Sequence, residues 1–354
     1  MRFTIFVSTC LFACFDCQEL VSVAVIYRHG DRTPLSFYEN DPYSNLTYWP
    51  EGVGQLTNEG KLRQYNLGKW LRNRYSNLLP ESYNHEDILV KSDDIDRTIM
   101  SALANLAGLY PPDEEQKWSE LNWMPIPIHN RPNVEDSVIA MEKPCDKYER
   151  LFEELMESEH FKQVDREYKK IYEYLTENSG TKTKTLKAAK ALYTTLSIEE
   201  QRNLTLPDWT KHVYPDKLKA MASLSFQSYV YTDPLTRLRV GPFYHELIGN
   251  FNNTIESLTN VKLWMFSGHD KNVIAVLAGL GALEPHIPQF ASTVIFELKR
   301  NNGEYYVEVY YKHGDELERI QVEGCDLECR FNDFIQVVEE FTVDPLTWDK
   351  ECEN

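Results

Sequence analysis

Beyond its first sixteen residues the chain has no run of 18 apolar residues, so no later segment is long enough to cross a bilayer as a helix. It is also short of positive charge. Lys and Arg number 37 against 55 Asp and Glu, a formal net charge of −18. So acidic a protein repels polyanions, which excludes a broad nucleic-acid or anionic-membrane surface but leaves room for a small basic pocket. Glycine (15) and proline (17) are too sparse in 354 residues for a collagenous or low-complexity chain. No internal repeat, no H-E-x-x-H motif and no Asp/His cluster at binuclear-metal spacing occurs, so no metal site and no cofactor is expected. What remains is a globular composition, 42% hydrophobic and 26% charged, sufficient for one large domain or two ordinary ones.

Residues 1–16 read as a signal peptide. Met1-Arg2 is a short basic region, Phe3 to Phe15 a mostly apolar run of the right length, and Asp16, Cys17, Gln18 and Glu19 follow at once. Sequons at Asn45, Asn203 and Asn252 suit glycosylation of a secreted chain. The mature protein is therefore expected to be soluble and secreted, without a membrane anchor, the lysosome being the other destination considered. Of seven cysteines, Cys10 and Cys14 leave with the leader. Cys17 is either unpaired or lost too. Cys145, Cys325, Cys329 and Cys352 allow three pairings, and Cys325-x-x-x-Cys329 could alternatively clip a metal.

The chain order points to an α/β protein. Val21 to Tyr27 is an almost unbroken β-branched run, the pattern of a strand covered on both faces. A helical pattern follows from Leu56-Thr57 to Tyr75, then a short strand at Asp87 to Lys91 and a helix from Ile95 to Leu109, closed by Tyr110-Pro-Pro. Residues 145–225 are polar, Lys/Glu-rich and helical, without a credible strand. Lys262 to Phe266 is again a strand, Asn272 to Leu280 a helix. Thr293 to Lys299 and Tyr305 to Lys312 form a hairpin across Asn301-Asn-Gly303. The predicted organisation is an α/β core over 17–140 and 233–354, interrupted by an α-helical cap over 141–232. The core is a three-layer sandwich around a mixed, mostly parallel sheet.

Chemistry concentrates at the carboxyl ends of the strands, where open α/β sheets bind ligands. Arg28-His29-Gly30-Asp31-Arg32-Thr33-Pro34 directly follows the first strand. Two guanidinium forks there match phosphate oxygens, and Gly30 permits a tight turn beside the ligand. A pattern with five fixed positions arises in about one random chain of this length in ten thousand. Arg97 opens the helix after the second strand, and His269-Asp270 opens the helix after the third. Helix N-termini favour anions. Singly, each of these residues reads as an ordinary surface or structural side chain; together they converge on one small anion. Lys182, Lys184, Lys187 and Lys190 form a basic run better read as a solvated helix face than as a polyphosphate attractor. Phe37, Tyr38, Tyr43, Tyr48 and Trp49 read equally as cleft mouth or as packing.

These residues carry a resemblance to the histidine acid phosphatases. It extends through Trp49-Pro-Glu-Gly52, Gln55-Leu-Thr57, Gly60, Asp94 to Thr98, Ala104 to Ala107, Leu204 to Pro207, Trp209 and His269-Asp270, essentially the whole mature chain. The resemblance implies the histidine phosphatase and phosphoglycerate mutase-like fold. It implies that His29 is the nucleophile of a phosphohistidine intermediate and that Asp270 protonates the leaving group. Arg28, Arg32, Arg97 and His269 would bind the phosphoryl oxygens of small phosphomonoesters. It pairs Cys145 with Cys352 and Cys325 with Cys329; where relatives carry a further pair, this chain has Thr293 and no cysteine near 191–203. The stretch with Trp118, Trp123 and Pro125 to His129 resembles a dimer-forming region, so a homodimer is one expectation. The activity implied is a secreted acid phosphatase. Alternatives are a phytase, a lysophosphatidic acid phosphatase, or an inactive phospho-ligand binder, the last disfavoured because His29 and Asp270 are both present.

Overall fold

The computed structural model describes residues 18–141 and 143–353. Residues 1–16, read above as a signal peptide, and Cys17 lie outside the described residues. In chain order the elements begin with β1 (Glu19–Arg28), α1 (Asn58–Arg74), β2 (Ile88–Ser92) and α2 (Asp96–Leu109). Helices α3 (Asp146–Met156), α4 (Glu159–Ser179), α5 (Leu186–Gln201), α6 (Asp216–Ser228) and α7 (Asp233–Ile255) follow without a strand between them among the described residues. The chain then returns to β3 (Leu263–Gly268), α8 (Asp270–Gly279), β4 (Thr293–Asn301), β5 (Glu304–His313), β6 (Glu316–Ile320) and β7 (Cys329–Arg330). Two short helices, α9 (Phe331–Val338) and α10 (Pro345–Cys352), close it.

The sheet runs β2-β3-β1-β4-β5-β6, with β7 on β5. Strands β2, β3 and β1 are parallel; β4, β5, β6 and β7 join antiparallel. The sheet is thus mixed, as expected, and its parallel half is the half the sequence motifs occupy. Alternation along β1 shows why that strand reads as continuous hydrophobics. Ala24 and Ile26 enter one core with Phe266, Val273 and Phe296, while Val23, Val25 and Tyr27 enter another with Leu67, Leu71, Leu106 and Met265. A strand with both faces covered has no polar side to show. Each fully buried apolar side chain of this kind contributes about 1.5–3 kcal/mol.

The helices α4 to α6 have a core of their own, built from Phe161, Tyr172, Leu175, Leu192, Leu196, Leu218 and Met221. Tyr38, from the loop after β1, belongs to it and meets Trp209 edge-on. Polar links join the same two regions. Thr195 Oγ1 donates to Ser36 O (2.9 Å), Tyr43 Oη to Thr205 O (2.7 Å), and Arg202 pairs with Glu51 (2.6 Å). At this junction Asp41 and Glu199, both buried, lie beside one another, and burial pushes both carboxyls up. The disulfides join Cys145 to Cys352, 207 positions apart, and Cys325 to Cys329.

Candidate active site

The turn after β1 is fixed by backbone contacts on every side. His29 N donates to Gly268 O (2.9 Å), Ala291 N to His29 O (3.2 Å), and Thr57 N to Asp31 O (2.9 Å). Gly30 N donates to Ser101 Oγ of α2 (3.0 Å). The sequence suggested that Gly30 permits a tight turn beside the ligand; the structure adds a second reason for glycine here. A Cβ at Gly30 would lie 2.3 Å from Gly60 O, so the first turn of α1 leaves no space for one. Thr57 caps that helix, accepting from Gly60 N at 3.1 Å. Asp31, inside the motif, is turned away: Arg63 grips it with two bonds of 2.6 and 3.1 Å.

Arg28, His29 and Arg32 are all buried. His29 Nδ1 donates to Gly30 O at 2.8 Å, because a carbonyl can only accept. Its Nε2 therefore carries the lone pair. Burial, and then the charges of Arg28, His269, Arg32 and Arg97, hold the imidazole well below the usual histidine range. It stays unprotonated in mildly acidic medium. Arg28 is positioned by Pro288 O, which accepts from its Nη1, by Asp270 at 3.0 Å, and by the Phe290 ring 4.1 Å from its Cζ. Arg32 donates to Thr33 O (3.0 Å), and burial lowers it to about 9. The Nε of Arg28 and of Arg32 are buried without a hydrogen-bond partner among the described residues. Arg97 stands in the first turn of α2, half-buried.

His269 closes the other side, its ring centroid 5.4 Å from that of His29 in an edge-on arrangement. Its backbone N donates to Asn272 Oδ1 (2.8 Å), and its Nε2 donates to Asp93 Oδ2 (2.6 Å). Asp93 is buried and also accepts from Thr98 Oγ1. Sequence reasoning missed Asp93, although its place just beyond β2, level with His29 and His269, was a usable signal. It also missed Pro288 and Phe290, which reach the site only because β4 runs antiparallel beside β1 and so begins at this end. Asp270, at the N-terminus of α8, has burial pushing it up and Arg28, Lys190, His269 and Arg32 pulling it down, to about 2. The free site thus holds an ionised carboxylate against Arg28.

The site brings together all six residues singled out for phosphoryl chemistry: His29, Arg32, Arg97, His269 and Asp270 line one cleft of about 260 Å³, with Arg28 immediately behind. Lys187 and Lys190 line it as well, whereas Lys182 and Lys184 point to solvent. Of the aromatics after the turn, Tyr38 and Trp49 are buried and Tyr48 is exposed, and none of Phe37, Tyr38, Tyr43, Tyr48 and Trp49 lines the cleft; Leu35 and Ser36 do. Asn45 and Asn203 are exposed, and Asn252 is half-buried within α7. Trp118 is exposed and donates to Trp123 O (2.8 Å).

Comparison with known proteins gives one consistent answer. Residues 19–312 match the histidine phosphatase superfamily, branch 2. The chain is 35% identical to the prostatic acid phosphatase of Bos taurus over 344 residues, which cover 95% of this chain and 88% of that one. It is 33% identical to the lysosomal acid phosphatase of Rattus norvegicus over 347 residues, covering 95% and 81%. Among solved structures, a Hafnia alvei phytase in complex with tartrate superposes with a TM-score of 0.72, at 17% identity, over 93% of this chain and 98% of that one.

Proposed function

Because this chain belongs to branch 2 of the histidine phosphatase superfamily, we propose that it is an acid phosphatase cleaving phosphate monoesters through a phosphohistidine at His29. The observation that carries the reading is the tautomer. Nδ1 of His29 is committed to Gly30 O, so Nε2 faces the cleft as a nucleophile inside a ring of guanidiniums. The two buried Nε atoms without partners on Arg28 and Arg32 mark charge that a phosphoryl dianion would satisfy.

In the first step His29 Nε2 attacks phosphorus. The N–P bond forms, the ester P–O bond breaks, and the electron pair leaves on the alcohol oxygen. Arg28, Arg32, Arg97 and His269 hold the equatorial oxygens as charge spreads over them. Asp270 gives the departing oxygen its proton. It cannot do so while paired with Arg28, but a bound phosphoryl group competes for that guanidinium and adds a like charge beside the carboxylate. Both effects raise its proton affinity when the substrate is in place. In the second step water attacks the phosphohistidine, Asp270 takes the water's proton, and phosphate leaves with His29 restored. Asp93 keeps the His269 ring oriented throughout.

The disulfides and the lysosomal and prostatic names of its relatives support work in an oxidising, acidic compartment, secreted or lysosomal. The reading is tested by brief exposure to a radiolabelled phosphate ester, alkaline denaturation and digestion. The peptide containing His29 should retain label, and His29→Ala should retain none. Label on another residue, or hydrolysis with no trapped label, would overturn it.

A further inference from the structure

The cleft does not end at the phosphoryl site. It continues to Lys187 and Lys190 of α5, Lys271 of α8 and Tyr229 just beyond α6. Tyr229 lies between two ammonium groups. Lys190 Nζ donates to its hydroxyl at 2.9 Å and stands 4.7 Å from its ring centroid, and Lys271 Nζ stands 4.7 Å from the same centroid. Lys190 also caps the Phe226 ring at 4.6 Å. Although burial pushes the Tyr229 phenol up, Lys190 and Lys271 outweigh it and bring the phenol below its ordinary value.

This is an expensive place for cations. Lys271 occupies the first turn of α8, where the helix dipole disfavours positive charge, and burial together with Lys190 and Arg239 lowers its ammonium. Asp270, which lines the same cleft, is engaged by Arg28 at 3.0 Å, and among the described residues none of the three lysines has an ion-pair partner. The phosphoryl group already has Arg28, Arg32, Arg97 and His269. Three further cations on one cleft of a protein with net charge −18 therefore call for a second anion. The rest of the cleft wall mixes apolar side chains, Leu35, Met141, Ala191 and Phe226, with the hydroxyls of Ser36, Thr194 and Thr195.

We propose that Lys187, Lys190 and Lys271 form a second anion subsite, so that preferred substrates are phosphomonoesters whose alcohol part carries another anionic group across a short linker. The proposal rests on the phosphomonoesterase reading above and narrows its substrate class.

The test compares kcat/KM for straight-chain diol bisphosphates of three to six carbons with the corresponding monophosphates, and with phosphooxy-alkanoates of the same length. The bisphosphate should be preferred about tenfold or more at one best length, and the alkanoate arm reads whether a carboxylate serves equally. Lys187→Gln/Lys190→Gln/Lys271→Gln should bring the ratio to near one, any shared effect on turnover dividing out. A ratio near one at every length in the unmodified protein, or a ratio unchanged by the triple substitution, overturns the proposal. Should the triple variant not fold, Lys187→Gln alone, at an exposed position, should lower the ratio at least twofold, and no change is equally decisive. If the unmodified protein cleaves neither class, the phosphatase reading is what has failed. Calorimetric titration with propane-1,3-diol bisphosphate against inorganic phosphate then decides the subsite, which requires the bisphosphate to bind more tightly.

Discussion

Two buried clusters of like charge draw on the loop that follows β1. Around His29 the guanidiniums of Arg28 and Arg32 sit below 6% exposed, flanked by Arg97; at the junction with α5, Asp41 and Glu199 sit equally deep with no cation against either carboxylate among the described residues. Both arrangements cost solvation energy, and they recover it differently. The basic cluster opens on a cleft, so an anion from outside can neutralise it. The acidic pair is buried beside Tyr38 and opens on no cleft among the described residues, so only a proton can. One cluster is poised for a ligand and the other for acid.

The sharpest way to break this contrast is to remove the nucleophile. His29→Ala should cut turnover of every ester by at least about a thousandfold. Binding of phosphate should persist, since the guanidiniums remain; residual turnover within tenfold of the parent would show that the basic cluster serves another nucleophile.

Asp270→Asn comes next. Alkyl phosphates should lose about two to four powers of ten in single-turnover rate, and nitrophenyl phosphate far less, because an acidic phenol needs little help in leaving. Equal losses on both would mean that Asp270 only anchors Arg28.

Filling the basic cluster should show in stability. Vanadate or phosphate at about a hundred times its dissociation constant should stabilise the fold by about 2.7 kcal/mol, read as a rise in Tm. Arg32→Gln should abolish most of that rise. EDTA should leave both activity and Tm where they were.

The acidic pair gives the smallest and most selective effect. Asp41 and Glu199 have folded-state proton affinities above their unfolded ones, so the folded protein binds more protons once pH exceeds the ordinary carboxylate range. Their contribution is fully present below about 4.5 and declines as pH rises above it. Glu199→Gln should flatten that decline and leave the variant more stable than the parent at neutral pH, measured as Tm against pH. Asp270 works in the opposite direction, its lowered affinity adding stability that is lost as pH falls towards about 2, so the difference between the two proteins isolates the pair. A parallel offset at all pH values would show that no shared proton holds the junction.

How much of this was legible without coordinates follows the same division. The parallel strands announced themselves because burial on both faces removes every polar residue from Val23 to Tyr27, and the turn after β1 stood out because few residue types can cluster charge around a nucleophile. Helix α7 did not: Gly241, Pro242 and Gly249 interrupt its pattern, and packing, with Gly241 against Phe341 O, overrides their poor propensity. The edge strand β6, Glu-Leu-Glu-Arg-Ile, is too polar to read as a strand and is formed by pairing with β5. Asp93 and the Asp41–Glu199 pair were invisible for a further reason. A single carboxylate carries no periodicity, and each acquires its meaning from a partner more than a hundred residues away.

The link between Cys145 and Cys352 turns everything from the start of α3 to the end of α10 into a covalent ring. Closing so long a loop restricts the unfolded chain by an amount worth about 5 kcal/mol in the chain-entropy account. It also decides what a protease can do. A cut at the exposed lysines of the segment between α4 and α5, Lys182 and Lys184, opens the ring without dividing the molecule. The catalytic turn, which lies outside the ring, would remain tethered to His269 and Asp270 inside it through an unbroken path of peptide bonds and one disulfide. Nicked protein should therefore travel as a single species until it is reduced.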